Sequence, residues 1–172
     1  RTKSAGYCGA SDKIEVSKVM LHHWEEPCIS GTGKNRGSGA VFFTHCPLGC
    51  VYCQNRDISR RSCAGTVYTV CGLAEVFLSL QRDGAYNINL VSPTQYTPQI
   101  IEAVRTAKSA GLTLPVVWNT GGYELPETLT WDFVWEVAAA ATAKDASGNY
   151  IVNGQKVMIP FIYKSTDNMM IQ

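Results

Sequence analysis

Residues 37–53 read Gly-Ser-Gly-Ala-Val-Phe-Phe-Thr-His-Cys-Pro-Leu-Gly-Cys-Val-Tyr-Cys. The run from Ala40 to Thr44 is short, apolar and rich in β-forming residues, and glycines precede it, which predicts a buried strand. Three cysteines follow at once, Cys46, Cys50 and Cys53, with the spacing C-x3-C-x2-C. This stretch therefore predicts a strand whose C-terminal end carries a loop of thiols.

The same alternation continues after the cysteines. Apolar residues at helical spacing predict a helix over residues 71–83, and residues 87–91 form the next β-type run. Pro98 lies in the first turn of a second predicted helix that closes at Gly111, and residues 115–119 predict a third strand. Strands and helices that alternate at this spacing predict an α/β fold with a parallel sheet and right-handed crossovers.

Polar loops follow all three predicted strands. The cysteine loop follows the first, residues 92–94 (Ser-Pro-Thr) the second and residues 119–122 (Asn-Thr-Gly-Gly) the third. Loops after the C-terminal ends of parallel strands lie together and build the site of such sheets. A glycine turn capped by its asparagine is the simpler alternative for the third loop. We expect cofactor-binding groups in these loops, beside the cysteines, at Ser92, Thr94, Asn119 and Thr120.

The composition is that of an ordinary globular domain. The chain has 172 residues, 45% of them hydrophobic and 17% charged, and a formal net charge of +1. The basic residues are scattered, so no nucleic-acid surface is expected, and no apolar run is long enough to span a bilayer. We expect no membrane association and a cytoplasmic location. Because the chain begins at Arg1 without an initiator Met, we also expect a fragment or a processed product.

Seven cysteines make a high and odd count for a chain of this length. Three of them lie within residues 46–53, a loop too tight to form three disulfides, which favours metal or reactive-thiol chemistry. Thiolates are the usual ligands of iron–sulfur clusters, and three on one loop leave the fourth iron of a cubane open. A structural zinc site, which needs a fourth ligand that the adjacent His45 is poorly placed to supply, and inert thiols are the alternatives.

An open iron suits a ligand with an amine and a carboxylate, such as S-adenosylmethionine (SAM). One electron passed from the cluster to the sulfonium then breaks a C–S bond and gives methionine and a 5′-deoxyadenosyl radical. Gly49 lets the backbone pass close to a cluster. Tyr52, between the last two cysteines, is expected toward the adenine, and Gln54 and Asn55 are expected to orient the loop.

Residues 37–55 resemble the radical SAM proteins that are similar to pyruvate formate-lyase activating enzyme. Three further blocks match in the same order, residues 21–28 (LHHWEEPC), 89–94 (NLVSPT) and 117–123 (VWNTGGY). The resemblance covers roughly residues 1–127. It implies a partial (β/α) barrel truncated to about three β/α units, with residues 1–36 as an N-terminal extension and residues 37–127 as the incomplete core.

The resemblance also implies a chemistry and its partners. Cys46, Cys50 and Cys53 hold a [4Fe–4S] cluster at the C-terminal mouth of the barrel, where SAM is cleaved. A one-electron donor such as flavodoxin or ferredoxin and a protein substrate are implied, but no catalytic side chain is assigned. Activating enzymes proper tend to have Gly-Gly-Glu where this chain has residues 92–94 (Ser-Pro-Thr), so glycyl-radical activation by this oxidoreductase is an analogy.

The character of the chain changes after about Glu127. Residues 131–143 predict a helix that covers the third strand, and Asn153-Gly154 predicts a hairpin over residues 150–163 that does not extend the parallel sheet. Residues 128–172 resemble a fragment of an ABC-transporter sugar-binding protein, which implies a chimera joined near residues 125–129. Trp131 and Trp135, the candidate sugar-stacking residues, are more simply core contacts at i, i+4.

Two further functions therefore compete with a radical SAM enzyme fragment. One is a non-enzymatic iron–sulfur or zinc-binding module. The other is a solute-binding protein fragment, which needs a signal peptide and two lobes, and neither fits the sequence.

Other thiols and polar residues have blander interpretations. Cys8 resembles the last cysteine of an N-terminal cluster in the same family, although a lone thiol is more simply a free cysteine. His22 and His23 point to opposite faces of an extended segment, so at most one faces the site. One of Glu25 and Glu26 is expected to be solvated. Three cysteines without partner spacing read as small apolar residues, namely Cys28, Cys63 and Cys71.

Overall fold

The computed structural model of the protein describes residues 7–25, 27–31, 37–60 and 62–119, without the side chain of Cys28. Within these residues, five strands form one mixed sheet. Their bounds are β1 Ile14–His22, β2 Ser38–Phe43, β3 Thr66–Tyr68, β4 Ile88–Val91 and β5 Val116–Asn119. Four helices accompany them, α1 Pro27–Ser30, α2 Arg56–Ser59, α3 Val70–Arg82 and α4 Thr97–Ser109, with a 3₁₀ turn at Thr94–Tyr96.

The sheet has the strand order β3-β1-β2-β4-β5. Strands β2, β4 and β5 are parallel, and they are the three strands that the sequence predicted. Strand β1 runs antiparallel to β2 on one side and to β3 on the other. The α/β class and the parallel core are thus confirmed, whereas the antiparallel strands β1 and β3 were not predicted.

Both long helices begin and end where the sequence places the signals. The Thr69 hydroxyl caps α3 by accepting a hydrogen bond from the Gly72 amide at 3.0 Å. Gly84, with a φ of 86°, lets the chain turn away after this helix. Pro98 lies in the first turn of α4, and Gly111, with a φ of 103°, follows its end. The two predicted helices are confirmed.

One hydrophobic core joins the sheet to α3 and α4. The strands contribute alternate residues to it, so both helices cover the same face of the sheet. Gln81 also ties the end of α3 to the turn after α4, because its amide donates to the Gly111 carbonyl at 3.0 Å and accepts from the Thr113 amide at 2.7 Å. The fully buried large side chains of this core include Phe43, Phe77, Leu73, Ile88, Leu90, Tyr96 and Ile100.

Gly39 marks the closest approach of β2 to the segment before β4. A Cβ at this position would lie 2.7 Å from the Asn87 carbonyl oxygen and 3.1 Å from the Ala85 Cβ. The Gly39 amide also donates to the same carbonyl at 3.0 Å, so neither strand can yield without losing that bond. We expect Gly39→Ala to lower the free energy of unfolding by about 1–3 kcal/mol, measured by urea denaturation.

Gly72→Ala is the matched control for this prediction. Gly72 lies inside α3, and the nearest atom to its added Cβ is the Thr69 hydroxyl oxygen at 3.3 Å. The preference of helices for alanine over glycine offsets that contact, so the net change should be small. Equal losses in the two variants would contradict the close packing of β2 against the chain before β4.

Several predictions concern residues outside the described ones. These are the helix, the hairpin, the chimeric junction and the sugar-binding resemblance after Glu127, together with Thr120 and Glu26. Among the helices of the described residues, none is long and apolar enough to cross a membrane.

Candidate metal centre

The cysteine loop leaves the sheet at the edge where the other two parallel strands also end. The register places Phe42 of β2 opposite Val91 of β4, and Val91 opposite Asn119 of β5. The residues that follow these strands therefore share one edge of the sheet. The structure thus brings Ser92 and Asn119 to the same edge as the cysteine loop, as predicted, while their role in binding a ligand stays a prediction.

Two left-handed residues shape the loop. His45 has a φ of 64° and Gly49 a φ of 59°. A side chain is rarely tolerated at such a φ, and glycine accepts it at no steric cost. The Cys53 amide then donates to the Cys50 carbonyl at 3.3 Å and closes a turn over the last two cysteines. The loop consequently folds back on itself between its first and last thiol.

All three cysteines of the loop are half-buried free thiols. Within the described residues, however, no three His, Cys, Asp or Glu side chains are arranged to hold a metal ion, so the expected convergence of the three sulfurs is not seen. The donor set itself suits iron–sulfur chemistry, since thiolates bind such clusters and none of these thiols is consumed by a disulfide. Binding a cluster requires the three side chains to turn toward a common point.

Ser59 of α2 supports the cysteine loop, a role that no sequence pattern predicted. Its side chain is buried, with 5% of the residue exposed. Its carbonyl accepts a hydrogen bond from the Cys46 amide at 2.7 Å, and its hydroxyl oxygen lies 3.9 Å from the Cys53 sulfur. One residue therefore contacts both the first and the last cysteine of the loop.

Asn55 contributes through its backbone. Its carbonyl accepts hydrogen bonds from the Ile58 amide at 3.1 Å, the Ser59 amide at 2.9 Å and the Ser59 hydroxyl at 2.8 Å. Asn55 is the N-cap of α2 and makes no capping hydrogen bond with its side chain. The predicted orienting role thus has a backbone basis at Asn55, while Gln54 is exposed.

His45 points away from the cysteines and toward β1. Its ring is buried, and its Nε2 lies 3.2 Å from the Glu15 carboxylate. This contact agrees with the expectation that His45 is poorly placed to share a metal with Cys46. Together with the fully buried Thr44, the pair forms a polar floor beneath the loop.

Tyr96 lies beside the same floor. Burial raises the pKa of Tyr96 and the charge of Glu15 adds to the rise, whereas the nearby Thr44 side chain acts in the opposite direction. Its ring also packs against Phe43, with the ring centroids 6.0 Å apart. Tyr96 therefore stays a neutral phenol at physiological pH and joins the polar floor to the hydrophobic core.

The loop after β4 is tied directly to the start of the cysteine loop. Ser92 is half-buried with a φ of 57°, and Thr94 opens the 3₁₀ turn, where its carbonyl accepts from the Thr97 hydroxyl at 2.7 Å. The next residue, Gln95, donates from its amide to the Thr44 carbonyl. This hydrogen bond between the two loops was not predicted, because the sequence around a glutamine does not indicate its partner.

Tyr52 and Val51 form the exposed tip of the loop. Each is 85% exposed, which is high for large apolar side chains. The expected position of Tyr52 against an adenine stays a prediction. Asn119 is also exposed, at the end of β5.

Asn89 is a polar residue inside the sheet that was not among the predicted site residues. It is 2% exposed, and its side chain alternates with those of Ile88 and Leu90, so it faces away from the helices. Its Oδ1 finds no hydrogen-bond donor in the described part of the chain. Asn87, two residues earlier, is paired, since it donates to the Ile29 carbonyl at 2.7 Å and accepts from Ser38 at 2.8 Å. Asparagine at alternate positions of an apolar strand was the available signal.

The remaining candidates lie elsewhere. His22 pairs with Ser38 at the opposite end of β2 from the cysteine loop, and it approaches Glu25 at 3.5 Å, so it does not belong to the site. The Cys63 thiol donates to the Asp57 carbonyl at 3.1 Å. Cys71 is exposed on α3, so its interpretation as a packed apolar residue is wrong. Cys8 forms no disulfide, and its assignment as a free cysteine and not a ligand stays a prediction.

Comparison with known proteins finds a relative among the curated proteins. No protein-family model matches the chain, and no solved structure matches it. A curated protein of Methanocaldococcus jannaschii, named only as an uncharacterized protein, is 29% identical over 129 residues. The match covers 72% of this chain and 36% of that protein, so the chain spans about a third of the length of this relative.

Proposed function

We propose that this chain carries the cluster- and SAM-binding part of a radical SAM protein, built on a partial (β/α) barrel of about three β/α units. One observation carries the proposal: a loop of three free cysteines with the spacing C-x3-C-x2-C leaves β2 at the edge where β4 and β5 also end. Parallel strands with both helices on one face, as in this sheet, are the building pattern of such barrels.

Cys46, Cys50 and Cys53 are the residues that hold three irons of the [4Fe–4S] cluster. When bound, the cluster supplies the electron that cleaves SAM. SAM can bind only if one iron has no protein ligand. His45 does not supply that ligand, because its ring is turned toward Glu15, with 3.2 Å between its Nε2 and the carboxylate. Cys63, whose thiol donates to a backbone carbonyl of α2, also stays outside the ligand set.

The polar groups at the same edge bind the organic part of SAM. Ser92 and Thr94 lie in the loop after β4, where the activating enzymes that the sequence resembles tend to have the Gly-Gly-Glu stretch that holds the methionyl amine. The Gln95 hydrogen bond to Thr44 keeps this loop against the cysteine loop. Asn119, the last residue of β5, and Thr120, the next residue in the sequence, are proposed to meet the ribose or the carboxylate. The exposed ring of Tyr52 covers the adenine.

Asn89 supplies a hydrogen-bonding group on the face of the sheet opposite the helices. In a barrel this face is the interior, where the substrate meets the radical. Ala40 and Val117 flank Asn89 in the register, so its amide is the polar group of an otherwise apolar row. An unpaired buried amide oxygen costs about 1–3 kcal/mol, which a hydrogen-bond donor of the substrate would recover.

Activation of a glycyl radical protein, with flavodoxin or ferredoxin as the electron donor, is the proposed role.

Anaerobic reconstitution of the full chain with iron and sulfide tests this function. We expect a brown protein whose dithionite-reduced form gives a cubane EPR signal, because three thiolates of one loop suffice to anchor the cluster. Adding SAM should change that signal and yield 5′-deoxyadenosine and methionine.

The other outcomes separate the competing functions. A cluster whose EPR signal does not respond to SAM would indicate a non-enzymatic iron–sulfur module. Tight binding of zinc without a cluster would indicate a structural zinc site. Either result would overturn the radical SAM proposal.

A further inference from the structure

Ser59 is placed to act on the cluster site without being a ligand. It is buried at the C-terminal end of α2 and touches the loop at both ends, with 2.7 Å between its carbonyl and the Cys46 amide and 3.9 Å between its hydroxyl oxygen and the Cys53 sulfur. The other free thiol near α2, Cys63, donates to backbone carbonyls of that helix instead.

The hydroxyl of Ser59 can change its acceptor at little cost. It now donates to the Asn55 carbonyl at 2.8 Å, and the Cys53 thiol is then the donor toward the Ser59 oxygen. A cysteine that binds metal is a thiolate, which has no proton to donate and accepts instead. The Asn55 carbonyl keeps its two amide donors, Ile58 and Ser59, when the hydroxyl turns away. Turning therefore leaves no buried acceptor unsatisfied.

We propose that Ser59 is a positioning residue that donates a hydrogen bond to the Cys53 thiolate and thereby raises the reduction potential of the cluster. This inference rests on the proposed function, although it needs only the iron–sulfur cluster and not SAM. Reduction adds one electron, whose negative charge spreads onto the sulfurs. A hydrogen bond to sulfur stabilises this reduced form more than the oxidised form, so the potential rises.

The experiment is an EPR-monitored redox titration of the reconstituted full chain. Ser59→Ala should keep its cluster, because the bonds of the Ser59 backbone to Cys46 and Asn55 do not need the hydroxyl. Its cluster should be harder to reduce, by about a tenfold change in the oxidised-to-reduced ratio at a fixed potential, which equals about 59 mV for one electron. Ser62→Ala, which removes an exposed neighbouring hydroxyl, should leave the potential unchanged.

A pair of variants of equal shape separates the hydrogen bond from packing. Ser59→Thr keeps the hydroxyl and should retain the wild-type potential, whereas Ser59→Val should match Ser59→Ala. On the wild-type chain itself, replacing H₂O by D₂O should shift the Fe–S(Cys) stretching bands in the resonance Raman spectrum. Equal potentials in the Thr and Val variants, or no shift in D₂O, would overturn the inference.

Its failure is distinct from failure of the proposed function. A wild-type chain that assembles a SAM-responsive cluster, with a Ser59→Ala variant of unchanged potential, would refute the role of Ser59 alone. A wild-type chain that assembles no cluster would refute the proposed function and with it the inference.

Discussion

Cys50→Ala should abolish the proposed cluster and the brown colour expected of it. Losing one of three thiolates leaves two anchors for a cubane that already lacks a fourth. Because changes outside the ligand set typically lower metal affinity about 10–100-fold, removing a ligand should cost more than that. The measurement is iron and sulfide content with the visible spectrum after anaerobic reconstitution. Cys46→Ala and Cys53→Ala should behave in the same way.

Cys71→Ala is the matched control for the ligand variants. Its thiol is free and exposed in the first turn of α3, outside the C-x3-C-x2-C segment. Cys63→Ala is the more demanding control, because the Cys63 thiol contacts α2, which also carries Ser59. Both should assemble the cluster to the wild-type level. A stable cubane in Cys50→Ala would exclude the assigned ligand set.

Phe43→Ala should cost about 3–5 kcal/mol of unfolding free energy. Phe43 is the last residue of β2, is fully buried and packs against the Tyr96 ring at a centroid distance of 6.0 Å. The cavity would open directly beneath Thr44 and His45, so the support of the cysteine loop weakens together with the core. The change is measured as a shift in the urea midpoint with an unchanged slope.

Phe42→Ala provides the comparison within the same strand. Phe42 is half-buried and lies on the opposite face of β2, away from the core that α3 and α4 form. Removing the same ring from this face should cost clearly less, because less apolar surface leaves the protein interior. A larger loss in Phe42→Ala than in Phe43→Ala would mean that the two faces of β2 are assigned the wrong way round.

Local sequence signals predicted the parallel core because each of its elements carries its own pattern. Apolar runs mark β2, β4 and β5, and helical spacing with glycine after the end marks α3 and α4. Strand β1 escaped because only its first half alternates cleanly, with Ile14 and Val16 buried. Strand β3 has three residues, too few for a periodic signal.

The candidate site was predictable as a place but not as a set of contacts. The cysteine spacing and the rule that parallel strands end at one edge located the loop together with Ser92 and Asn119. The supporting contacts of Ser59 and Gln95 join positions that no local pattern connects, since Gln95 bonds to Thr44 across the sheet edge. The position of the sulfurs depends on side-chain rotation, which spacing alone does not determine.

Strand β2 has neighbours on both of its backbone edges, β1 on one side and β4 on the other. In a closed barrel the last strand must hydrogen-bond to the first of the parallel series, and here that first strand is β2. This edge of β2 is already paired with β1 over six register pairs from Val16 to His22. A parallel strand could therefore pair with this edge of β2 only if β1 were displaced. Strand β1 therefore stabilises β2 and at the same time prevents a barrel from closing on it, so that among the described residues the strands with an unpaired backbone edge are β3 and β5.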